Sequence, residues 1–169
     1  MTRSDLDDAF AHHVWATLRL LDACSALDPE QLASQVTGTY GSILHTLRHL
    51  VGSDAWYLFV ITGRASERID EDAMDLPDLR SAMEGHGATW SSVLAQDLDP
   101  DLDVLAHRDD GTVGHAPLGI RLAQVLHHGT DHRSQICTSL TALGLEPPGI
   151  DVWDFGTLDG RVHDGSTAN

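Results

Sequence analysis

Lysine is absent from this chain of 169 residues, so its ten basic residues are all arginine. They face 26 acidic residues, and the net charge is -16. A phosphate backbone or an anionic bilayer needs a basic surface to meet it, so this balance argues against both nucleic-acid binding and membrane docking. Cysteine is scarce. Cys24 and Cys137 stand far apart with no Cys-x-x-Cys pair, which argues against a disulfide framework and for two buried free thiols. No apolar run approaches the roughly 20 residues that span a bilayer. Residues 1–10 lack the apolar stretch of a signal peptide. The expectation is a cytoplasmic protein.

What the chain does have is a hydrophobic fraction of 41%, enough for one ordinary domain, and eleven histidines. The histidines cluster: His12 with His13, His45 with His49, and His127 and His128 with His132.

Apolar periodicity predicts four long helices, at 4–27, 42–62, 77–98 and 118–143. Ser4 can cap the first and Gly63 can end the second. Pro77 suits the first turn of the third, and Gly144 ends the fourth. Between the third and fourth, residues 101–117 read as a short hairpin around Asp110-Gly111, or as a structured loop. The tail after Gly156 is polar and Gly-rich and is expected to be loose. Four long helices in one small domain suggest a four-helix bundle.

On the fourth helix, Leu118, Leu122, Val125, Gly129, Ile136, Leu140 and Leu143 form one stripe. At 100° per residue, His132 lies about 20° from its centre and His128 about 60° away. His127 points to solvent. Two histidines at i and i+4 share a helix face and can reach one ion. Burying two polar rings on an apolar stripe costs free energy unless each finds a partner, and a metal satisfies both. Gly129, between them, suggests a need for room beside the site. A third ligand is required. Geometrically, His45 and His49 are equally eligible, because the second helix is apolar on both sides. His86 reads as a core histidine, and His12 and His13 as surface or packing residues.

Three stretches together resemble the DinB/YfiT-like superfamily. One runs from Gly41 through His49 to Trp56-Tyr57-Leu58. The most specific is Leu126-His127-His128-Gly129-Thr130-Asp131-His132-Arg133-Ser134-Gln135-Ile136. The third is Glu146-Pro147-Pro148-Gly149-Ile150-Asp151-Val152-Trp153-Asp154-Phe155. The sequence departs from the pattern at Asp131, where His is usual, and at Ser134, where Gly is usual. The resemblance implies an all-α, up-down-down-up four-helix bundle over residues 1–156, with 157–169 as a flexible tail. It also implies one divalent metal ion held by His49, His128 and His132, with Asp131, Arg133, Gln135 and Asp54 as supporting candidates. Zinc or nickel comes first, with manganese, iron or cobalt as further options.

Three histidines leave the ion an open position, as catalytic sites do, for a water or a thiolate. The superfamily includes transferases that use small thiols such as bacillithiol or mycothiol. The first expectation is therefore a metal-dependent S-transferase acting on a small-molecule thiol and an electrophile. The alternatives are a hydrolase that uses metal-bound hydroxide, and a non-enzymatic metal-binding or stress-response protein. A homodimer is expected.

Overall fold

The computed structural model describes residues 4–64, 69–108 and 110–163. It is mostly helical. In chain order the elements are α1 (Asp5–Cys24), α2 (Pro29–Leu32), α3 (Ile43–Thr62), α4 (Leu76–Leu94), β1 (Asp103–His107), β2 (Val113–Pro117), α5 (Leu118–Ala142) and α6 (Val152–Leu158).

Helix starts follow from capping. The Ser4 side chain accepts from the Asp7 N–H, and Asp7 returns a bond to the Ser4 backbone. Ser42 caps α3 through the His45 N–H, and Asp75 caps α4 through that of Asp78. Gly63 ends α3 at φ 66, a left-handed conformation that a side chain disfavours. Four helices match the predicted ones, although α4 stops at Leu94, short of the expected residue 98. The two short helices α2 and α6 were not expected. α6 crosses the boundary drawn at residue 156. Residues 164–169 of the expected tail lie outside the described ones.

Each long helix packs on two others: α1 on α4 and α5, and α3 on α4 and α5. Arg80, early in α4, meets Asp22, late in α1. At the opposite end Phe10 and Trp90 lie 4.6 Å apart, centroid to centroid. Arg48, early in α3, donates to the Asp72 and Met74 carbonyls just before α4, at 2.7 Å each.

The apolar interior has two parts. Leu20, Leu47, Leu50, Met83 and Ile136 belong to one. Phe10, Leu58, Trp90, Leu122 and Val125 belong to the other. The α5 stripe is buried as its spacing predicts from Leu118 to Leu140, with Leu143 half-buried beyond it, and His127 is exposed. β1 and β2 pair as the expected antiparallel hairpin, with Leu105 opposite His115. No described helix is long and apolar enough to cross a membrane.

Candidate metal centre

α3 and α5 bring three imidazoles together. His49 Nε2 lies 3.3 Å from His128 Nε2, which lies 3.1 Å from His132 Nε2. One ligand atom from each lies within 4.8 Å of the others, so the three can hold a metal ion. The spacing fits. Zn–N bonds of 2.0–2.1 Å at octahedral to tetrahedral angles put neighbouring nitrogens about 2.8–3.4 Å apart. The donor set fits too. A neutral imidazole carries a single N–H, so three converging Nε2 atoms cannot all satisfy one another.

The local field favours the neutral form. Burial first, then the neighbouring His132 and His49, pushes the His128 pKa down to about 4. Burial and His49 also lower that of His132. At neutral pH both rings therefore keep a lone pair for an ion.

His49 joins this cluster, and His45 does not. His45 is exposed and stacks on Tyr40 at 5.2 Å. The Tyr40 ring also lies over His49, at 4.1 Å and 20°, and meets His132 edge-on. Its hydroxyl is 3.2 Å from His49 Nδ1. Glu71 Oε2 is 3.3 Å from the same nitrogen, and Ser53 Oγ is 3.4 Å from Nε2. Tyr57 stands 5.9 Å from His128. Tyr40, Ser53 and Glu71 had no sequence signal. Tyr40 and Glu71 come from irregular segments.

The supporting candidates go to different places. Gln135 Oε1 accepts from the Tyr40 N–H at 2.8 Å, which ties the Tyr40 loop to α5. Asp131 is exposed, and its charge favours the protonated forms of His128 and His132. Asp54 and Arg133 belong to a second polar cluster in the interior. Asp54 is 2% exposed and accepts from Trp90 Nε1 and His13 Nε2, each at 3.0 Å. Arg133 Nη1 lies 3.0 Å from His13 Nδ1. Arginine can only donate, so His13 accepts at Nδ1 and donates from Nε2 to Asp54. Burial works against the Asp54 carboxylate, but the hydrogen bond from His13 and the adjacent His86 ring outweigh it and hold its pKa well below the usual range.

This corrects the surface-or-packing view of His13, which is 1% exposed and fully engaged in polar contacts. It also corrects the reason for Gly129. A Cβ there would stand 2.5 Å from His13 Cε1 and 2.9 Å from Arg133 Nη1. The glycine makes room for this second cluster and not for the metal site. His86 is buried as expected, with Nδ1 3.1 Å from Asp54 Oδ2 but off hydrogen-bond alignment. Two cavities of ≈ 680 and ≈ 570 Å³ lie along α1, and neither is lined by His49, His128 or His132.

A mostly helical chain with three converging histidines defines a protein able to hold a metal ion. The DinB family model matches residues 1–161, and the chain belongs to that family. Comparison with the curated proteins returned no match.

Proposed function

We propose that the protein binds one divalent metal ion through His49, His128 and His132, and uses it to activate a low-molecular-weight thiol for transfer to an electrophile. The observation that carries this is the number and setting of the ligands. Three imidazoles converge and no fourth metal-ligating side chain joins them among the described residues. His49 also keeps a fifth of its side-chain surface open to solvent. Closed structural zinc sites use four protein ligands, whereas catalytic ones leave a position for an exogenous group. The ion supplies Lewis acidity, which lowers the pKa of a water or thiol held beside it. The chain's own residues keep the His128 and His132 rings neutral, and Tyr40, Tyr57 and the Ser53 hydroxyl stand beside the ligand rings. Zinc or nickel suits an all-imidazole set, with manganese, iron or cobalt as further options.

We read the ring of long helices as the up-down-down-up bundle, supported by the Arg80–Asp22 and Arg48–Met74 contacts at matching helix ends. We further propose a cytoplasmic homodimer, which would run at twice 18.3 kDa on sizing.

The experiment is a turnover panel. Protein loaded in turn with zinc, nickel and manganese is incubated with bacillithiol or mycothiol and a set of electrophiles. Metal-dependent loss of thiol with formation of the thioether supports the reading. Ester hydrolysis without thiol loss would replace it with a hydrolase. Metal binding with neither activity would leave a non-enzymatic metal-binding protein.

A further inference from the structure

Residues 70–74, just before α4, are built to deliver one carboxylate to one ligand. Asp70 Oδ1 accepts from the backbone N–H of Asp72 and Ala73, and the Asp70 carbonyl accepts from the Met74 N–H. These bonds fold residues 70–74 into a tight turn. Arg48, next to His49 on α3, clamps that turn through the Asp72 and Met74 carbonyls. The clamp sets Glu71 beside α3, with Oε2 3.3 Å from His49 Nδ1. Gly52, one turn along α3, completes the arrangement, since a Cβ there would stand 2.7 Å from Glu71 Oε1. A glycine inside a helix is a poorer helix former than alanine, so the notch comes at the expense of helix propensity.

We infer that Glu71 is the positioning residue for His49, accepting the hydrogen bond from Nδ1–H and so holding Nε2 toward His128 and His132. This deepens the metal-binding reading and rests on it. A histidine that ligates through Nε2 must carry its proton on Nδ1, and a carboxylate acceptor fixes both that tautomer and the plane of the ring. The Tyr40 hydroxyl is also in reach of Nδ1, at 3.2 Å, but a hydroxyl can donate as well as accept, so the carboxylate, which only accepts, is the partner that fixes the tautomer.

The test uses the full chain and zinc, with affinity read by competition against a chromophoric chelator and folding checked by circular dichroism. Glu71→Ala should bind zinc about 10–100-fold more weakly, and Glu71→Gln should fall between it and the wild type. Gly52→Ala keeps the carboxylate and improves helix propensity, yet it should weaken zinc binding by displacing Glu71. Long-range ¹H–¹⁵N spectra of the metal-free protein supply a readout that general destabilisation would not move. They should show His49 as the Nδ1–H tautomer in the wild type and a mixture in Glu71→Ala. If both alanine variants bind zinc as the wild type does and leave the tautomer unchanged, the role of Glu71 is overturned and metal binding stands. A wild type that binds no zinc overturns both.

Discussion

The Gln135 side chain holds the backbone of Tyr40, ninety-five positions away in sequence, through a 2.8 Å hydrogen bond. One end of the bond is on the helix that carries His128 and His132. The other is on the loop whose ring covers His49. Removing it should free the loop. Gln135→Ala should cost about 1 kcal/mol in urea unfolding of the metal-free protein, the usual net worth of one hydrogen bond. It should also weaken zinc binding. Unchanged stability and unchanged affinity would show that the Tyr40 loop is held by other means.

Asp54 should matter for folding and not for metal. It sits in the interior with His13 and Trp90 as donors, and none of the three clustered histidines is bonded to it. Asp54→Ala strands those donors and should cost about 3–5 kcal/mol. Metal stoichiometry per folded protein should stay the same. Loss of metal from folded Asp54→Ala would tie the two clusters together.

The same residue gives a pH signature. Its native pKa lies below that of the unfolded chain, so the unfolded state takes up the proton first as the solution is acidified. The stability contributed by Asp54 is therefore complete at neutral pH and is lost as pH falls through and below about 4. The stability difference between wild type and Asp54→Asn should shrink over that range. A difference that is constant from neutral pH to pH 3 would contradict the assignment.

Gly129→Ala separates propensity from packing. Alanine gains about 1 kcal/mol in helix propensity. Its Cβ, however, meets His13 and Arg133, both buried and hydrogen-bonded. Overpacking of this kind costs about 1–3 kcal/mol, so the substitution should be neutral to destabilising in thermal unfolding. Clear stabilisation would mean that the second cluster yields easily.

Much of this was legible in the residues. The α5 stripe, the inward His128 and His132 and the outward His127 follow from helical periodicity alone. The choice between His45 and His49 did not, because α3 is apolar on both sides; only the family resemblance favoured His49. What separates them is tertiary: Tyr40 and Glu71 converge on His49. Those two residues were illegible for the same reason. They come from turns with no period, and long-range bonds from Gln135 and Arg48 set their positions. Asp54 was expected beside the metal and His13 at the surface or in packing; their pairing was illegible because they are separated by 41 positions and meet only when α1 packs near α3. The α6 helix escaped because it is short and, of its residues, only Gly156 is buried.

The central claim is that His49, His128 and His132 hold one metal ion. The most direct measurement is elemental analysis of tag-free protein, comparing the wild type with His49→Ala, His128→Ala, His132→Ala and His45→Ala. The account predicts one equivalent of divalent metal in the wild type and in His45→Ala, and loss of it in each of the other three. Full metal in all three of those variants, or none in a folded wild type supplied with zinc and nickel, would contradict it.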